Sequence, residues 1–191
     1  MRSEIERIDR IISDLLAYAR PARVENGRVA VADIRESVDR VISLLKAQKT
    51  FDRVVFHVEM EAEVLVAEIP QDDLIQVLVN LSLNAAQAMS GSGQISIHAT
   101  RIQQWRTGFR VIARDAIRLS ITDNGPGIPL HLAGRVFDPF FSERKDGQGI
   151  GLGLAICMSI CERNGGEIRI DESHTQGARF EITLLESDIY A

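Results

Sequence analysis

Cysteine is nearly absent: only Cys157 and Cys161 carry a thiol in 191 residues, and both fall in one apolar, periodic stretch. No disulfide framework is expected, and a reducing compartment, the cytoplasm, is the expected setting. Long hydrophobic runs are missing too. No segment approaches the ~18–20 consecutive apolar residues that span a bilayer, and the opening MRSEIERIDR has nothing like the apolar stretch of a secretory signal. The chain itself is therefore expected to make no membrane contact, which leaves open whether a parent protein is anchored in an inner membrane. Positive charge is also in short supply. A formal net charge of -5 gives no general attraction to nucleic acid or anionic lipid, so a polyphosphate ligand would have to be held by local groups. What is present is 45% hydrophobic residues, enough for the core of one ordinary domain with an appended element.

The apolar spacing divides the chain into elements. Ile5, Ile8, Ile12, Leu15 and Ala19 alternate by three and four, the seam of a bundle helix, which Pro21 closes. Fewer than three heptads, already in phase at residue 5, suggest the end of a longer helix. Asp33 is placed to cap a helix carrying Ile34, Val38, Val41, Ile42 and Leu45 on one face. The β-branched stretches 53–58 and 64–67 read as strands. A helix opens at Pro70 and Gln71 and runs to about Met89, before the turn residues Ser90 to Gly93. Strands from Gln94 and Ala116 form an extended hairpin around the stretch holding Trp105. A further helix runs from about Gly153 to a left-handed stop at Asn164-Gly165-Gly166, followed by a terminal hairpin, EIRID and ARFEITL. The order predicts an α/β (α+β) two-layer sandwich, a mixed sheet packed on helices.

Four segments carry chemistry. Asn80 and Asn84, four apart in NLSLN, share one side of their helix beside its apolar face. They either bond neighbouring backbone or offer an amide oxygen to a hard cation such as Mg²⁺. Asp123-Asn124-Gly125-Pro126-Gly127-Ile128-Pro129 ends a strand in a tight turn, where the aspartate either caps the turn or accepts a hydrogen bond from a ligand amine such as adenine N6. Phe137-Asp138-Pro139-Phe140-Phe141 concentrates three of seven phenylalanines in a loop, as docking anchors or as a small apolar cluster. Arg144 and Lys145 follow, a solvated pair or ligands for a terminal phosphate. Finally Gly147-Gln148-Gly149-Ile150-Gly151-Leu152-Gly153-Leu154 leads straight into a helix, so backbone N–H groups and the helix dipole could converge on phosphates; a ligand-free flexible lid is the alternative. The run lacks the GxxxxGK[ST] of a P-loop and opens no βαβ unit, which disfavours a dinucleotide site.

In this order the four segments resemble the N, G1, F and G2 boxes of sensor histidine kinases, members of the Bergerat-fold ATPase superfamily. The likeness runs from about Val31 to Leu185. The preceding helix, ending DLLAYARPA, is similar to the second helix of the kinase dimerisation and phosphotransfer domain, which puts domain limits at 1–22 and 23–191. The resemblance implies ATP and Mg²⁺ as cofactors, with Asn84 on the metal and Asn80 beside the phosphates. It places Asp123, Gly125, Gly127, Ile128 and Phe137 at the base pocket, and Gly149, Ile150, Gly151, Leu152, Gly153 and Leu154 along the phosphates, with Arg144 or Lys145 at the γ-phosphate. It further implies transfer of the γ-phosphoryl group to a histidine, relay to a response-regulator receiver domain, and a homodimeric parent.

Two features bear on mechanism. ATP-hydrolysing relatives carry a glutamate four residues before the metal asparagine; here that residue is Asn80, which cannot take a proton from water, so phosphotransfer is expected over hydrolysis. None of His57, His98, His131 and His174 sits in the helical His-Glu/Asp context of a phosphoacceptor, so the acceptor histidine is expected outside this chain. The stretch between Phe141 and Gly149 is also about two residues longer than the family pattern. Cys157 and Cys161 share a helix face with no second ligand pair, which reads as core packing before metal or redox chemistry.

Overall fold

The computed structural model describes residues 29–105, 114–142 and 151–187. The expected bundle helix, together with Arg144, Lys145, Gly149 and Ile150, lies outside them. In chain order the elements are β1 (Ala32–Asp33), α1 (Ile34–Lys46), β2 (Arg53–Met60), β3 (Val66–Ala67), α2 (Gln71–Ala88), β4 (Ser92–Trp105), β5 (Arg114–Asp123), α3 (Leu130–Ala133), α4 (Gly153–Arg163), β6 (Glu167–Ile170) and β7 (Arg179–Leu185), with a 3-10 turn at Lys49–Phe51.

Five strands form one mixed sheet in the order β2-β4-β5-β7-β6, with β2 and β4 parallel and the other pairs antiparallel. β1 and β3 form a separate antiparallel pair at its margin. The α2 crossover between β3 and β4 allows the parallel pairing, which a short hairpin could not provide.

Period-two alternation settles which face of the sheet is inside. Val58, Ile97, Ile121, Phe180 and Ile170 are register partners across all five strands, and so are Met60, Ala99, Leu119, Ile182 and Ile168. These rows face α2 and α4, with α1 packed on α2, and supply much of a continuous apolar core. The opposite rows are polar. Glu59, His98, Ser120 and Glu181 are register partners there, and Arg169 is ion-paired to Glu181 at 2.6 Å. One face is buried and one faces solvent, as antiparallel sheets permit.

The helices follow local rules. Asp33 caps α1, its Oδ1 accepting from Glu36 N at 2.9 Å, and Ile34, Val38, Val41 and Leu45 are fully buried. Gly165, at φ +74°, closes α4 as a left-handed stop. The strand expected over 64–67 is only Val66–Ala67, because Leu65 turns its carbonyl to Ile34 N. β1 and α3 have no signal in the sequence pattern; each is too short to show a period.

α2 and α4 lie side by side and antiparallel. Asp73, near the start of α2, meets Arg163, the last residue of α4, with Nη2–Oδ1 at 2.8 Å and Nε–Oδ2 at 3.3 Å, and Asn164 Nδ2 also donates to Oδ2. Both charged side chains are about nine-tenths buried, and each charge complements the dipole of its own helix end. A buried ion pair broken on one side leaves an uncompensated charge. Arg163→Met is therefore expected to lower unfolding free energy by ~3–5 kcal/mol, and Asp73→Asn on top of it to recover a large part, as read by chemical denaturation.

Candidate functional site

The row that begins Phe56–Ile95 continues on β5 with Asp123, so alternation puts a carboxylate on the apolar face of the sheet, at the strand end where the core opens. Asp123 is 5% exposed. Its Oδ1 accepts from Gly125 N at 2.8 Å and Ala178 N at 3.2 Å, while its own N–H donates to Ala178 O at 2.9 Å. Turn cap and ligand acceptor are therefore not exclusive: Oδ1 shapes the turn, and Oδ2 has no donor among the described residues. Burial raises the carboxyl above the ordinary aspartate value; the two backbone donors and His174 pull the other way.

The turn fits only because two glycines meet back to back. Gly127, at φ +78°, and Gly177, at φ +103°, occupy left-handed backbone, and a Cβ on Gly177 would overlap the Asp123 carbonyl oxygen.

Asp123 lies on the wall of a cavity of ≈ 260 Å³, formed also by Asn84, Ala85 and Ala88 of α2, Gly127 to Pro129, Leu132, Val136, Phe141, Ser142, Leu154 of α4, Ala178 just before β7 and Phe180 of β7. Its lining is apolar, with Asp123 on one helix–sheet boundary and Asn84 on α2. The half-buried Asn84 amide makes no hydrogen bond to a described residue. Asn80, one turn earlier, donates from Nδ2 to Gly153 O at 3.3 Å, so a backbone bond is made, but across to another helix. Gly153 opens α4, and a Cβ there would stand 3.9 Å from both the Asn80 and Asn84 amides. Among the described residues no side chain caps this helix start, and its first-turn N–H groups and positive dipole end lie beside the two asparagines.

Of the residues singled out from sequence, Asn84, Asp123, Gly127, Ile128 and Leu154 line the cavity, and Asn80 and Gly153 adjoin it. Gly125 acts through its N–H on Asp123. Gly151 is joined to the aromatic loop, its carbonyl accepting from Phe140 N at 3.0 Å. Two residues expected at the cavity are not on its wall. Leu152, the N-cap of α4, is 2% exposed and packs into the core. Phe137 packs edge-on against Phe180, ring centroids 6.3 Å apart, and so backs the wall. Phe141, which does line the cavity, has Arg135 stacked over its ring at 4.8 Å, and Phe140 points outward, two-thirds exposed, from a backbone at φ +65°. Sequence reasoning missed Ala85, Ala88, Leu132, Val136, Ser142, Ala178 and Phe180 among the lining residues. The alanines had one available signal, small residues at +1 and +4 from Asn84, where a helix can leave room for a ligand.

Among the described residues no cluster of three or more His, Cys, Asp or Glu could hold a metal, and no helix is long and apolar enough to cross a membrane. A cation here would have the Asn84 amide oxygen and oxygens from its ligand, an arrangement suited to Mg²⁺.

Residues 69–188 match the family model described as histidine kinase-, DNA gyrase B-, and HSP90-like ATPase. The signal transduction histidine-protein kinase AtoS of Escherichia coli (strain K12) is 34% identical over 95% of this chain, which spans 27% of that protein. Across the first curated relatives the chain spans 27–37% of their length. Among solved structures, the catalytic domain of histidine kinase ThkA superposes with a TM-score of 0.69 at 28% identity, covering 83% of this chain and 96% of that one. ThkA in complex with response regulator protein TrrA gives 0.72 at 25% identity, covering 97% and 49%. The chain therefore belongs to the histidine kinase-, DNA gyrase B- and HSP90-like ATPase family, with the fold of a histidine kinase catalytic domain.

Proposed function

We propose that this cavity takes ATP as its Mg²⁺ complex and that the γ-phosphoryl group passes to a histidine on a helical hairpin outside this chain. The observation that carries the reading is Asp123: a buried carboxylate with one oxygen spent on the backbone and the other left to an apolar slot. That oxygen accepts from adenine N6, while Ile128, Ala178, Leu154 and Phe180 enclose the ring. At the far side Asn84 holds Mg²⁺, which neutralises charge on the phosphates. The first-turn N–H groups of α4, with Gly149, Gly151 and Gly153, cradle the phosphates, and Arg144 or Lys145 reaches the terminal one. Gly125 and Gly127 keep the turn close, and Phe137 backs the wall.

Asn80 supports transfer over hydrolysis, since an amide cannot deprotonate water. A neutral imidazole needs no such base: its ring nitrogen lone pair attacks Pγ, the bond to the β–γ bridging oxygen breaks, and ADP leaves. The chain's described histidines support an external acceptor. His57 and His98 lie on strands, His131 in the four-residue α3 and His174 in the β6–β7 turn, none of them on a long helix. We assign residues 1–22 to that bundle and 23–191 to the catalytic domain, with a homodimeric parent, a receiver-domain aspartate as the next acceptor, and the exposed Phe140 as the contact to the bundle. A cytoplasmic position fits this relay.

Mixing this chain with a histidine-bearing hairpin fragment and γ-labelled ATP is expected to give acid-labile, base-stable label on the fragment; nucleotide binding with no transfer to any cognate fragment would leave a non-catalytic binding module. Asp123→Asn keeps the Oδ1 acceptor but turns the ligand-facing group into a donor, so adenosine affinity is expected to fall at least ~10-fold, the loss of a charge-assisted hydrogen bond. Stability moves otherwise. A carboxyl whose folded pKa is raised contributes stability below its unfolded pKa that is lost as pH rises through the folded value. At neutral pH Asp123→Asn should thus melt no lower than wild type. Titrated downward in pH, adenosine affinity of wild type should fall with a midpoint above that of an ordinary aspartate, and the Asp123→Asn profile should stay flat across the same range.

A further inference from the structure

The two cysteines lie where α4 packs on α2, and they are not equivalent. Cys157 has no exposed surface, and its S–H donates to Val77 O at 3.8 Å, one turn of α2 before Asn80. Cys161, one turn on and equally buried, makes no side-chain hydrogen bond to a described residue. Burial pushes the Cys157 thiol up to about 12, so it stays neutral and unreactive, and what it offers is a fixed polar atom. Gly153 lies four residues before Cys157, on the same face of α4, and its carbonyl is the acceptor for Asn80 Nδ2. Val77, three residues before Asn80, is on the matching face of α2. The two helices thereby meet through two hydrogen bonds one turn apart on α4, Asn80 Nδ2 to the Gly153 carbonyl and the Cys157 sulfur to the Val77 carbonyl.

We propose that Cys157 is a positioning residue, whose sulfur, bonded to the Val77 carbonyl one turn from the Asn80–Gly153 hydrogen bond, fixes how α4 seats on α2 and so the place of the α4 N-terminus beside Asn84. The inference rests on the nucleotide reading above and adds a residue to its phosphate end. Packing alone makes a different demand of the site. A core position wants volume and tolerates valine, whereas a positioning sulfur wants a donor and acceptor, which serine keeps and valine lacks.

The test titrates Mg²⁺·ATP and, separately, adenosine into the whole chain, comparing wild type with Cys157→Val, Cys157→Ser, Cys161→Val and Asn80→Ala, each checked by thermal melt. Cys157→Val is expected to weaken Mg²⁺·ATP by about threefold to tenfold, the worth of one hydrogen bond, while adenosine binds as before. Cys157→Ser restores Mg²⁺·ATP to within about twofold of wild type even though it melts lower, since a buried hydroxyl is the poorer core group. Cys161→Val leaves both ligands unchanged, and Cys157→Val adds nothing in the Asn80→Ala background. Should valine crowd the interface and prevent folding, Cys157→Ala takes its place with the same expectation. Equal weakening of both ligands, a silent valine beside a damaging serine, or additive effects with Asn80→Ala would each overturn the inference. An Asn80→Ala chain that binds Mg²⁺·ATP like wild type would overturn the nucleotide reading as well; loss in Asn80→Ala with silent Cys157 variants overturns the cysteine inference alone.

Discussion

The antiparallel contact of α2 with α4 governs the rest of the candidate site. At one end the helices are pinned by the buried Asp73–Arg163 pair, at the other by the Asn80 amide on Gly153 O. Between them small residues, Cys157 against Val77 and Gly153 against the asparagines, let the backbones approach. Because α4, pinned to Asp73 by its last residue, runs back along α2 for only 11 residues against 18, its start falls beside the middle of α2, not beside its end. That is what sets an uncapped helix N-terminus next to Asn80 and Asn84 and makes phosphate the ligand group the proposed site is shaped for.

The other wall comes from the sheet. A strand alternating strictly between core and solvent has no freedom in where its last residue points, and on β5 that residue is Asp123. The same alternation that builds the core with Ile117, Leu119 and Ile121 delivers a carboxylate to the core's edge. The energetic tension is direct: ionised Asp123 is disfavoured by burial, and two backbone N–H groups offset only part of that. A group kept there against its solvation preference is what a specific hydrogen bond to a ligand requires.

Much of the architecture was legible because it repeats. The α1 stripe, the cap at Asp33, the long apolar face of α2, the glycine stop of α4 and the terminal hairpin each show a period or a turn chemistry of their own, and the structure keeps them within a few residues. The exceptions are short. β1, β3 and α3 span two to four residues, and their existence depends on what packs beside them. At the site, the segments with unusual composition were readable, whereas individual side-chain directions were not. Leu152 and Phe137 belong to conspicuous segments yet face the core and the back of the wall. Ala178 and Phe180, in an unremarkable strand, line the cavity.

By itself the sequence determined the element order, the amphipathic faces and the chemical inventory of Asn80, Asn84, Asp123 and the glycine runs, since these depend on neighbours within a turn or a strand. Tertiary structure alone decided that residues as far apart in the chain as Asn84, Asp123, Leu154 and Phe180 share one cavity. It also decided that Asp123 has one oxygen bonded to the turn and no donor to the other among the described residues, and that of two like cysteines Cys157 is the one bonded to the Val77 carbonyl. The physical reason is that these features follow from register between strands and from the crossing of two helices. Neither quantity is encoded in any local window; both emerge from how the buried faces fit together.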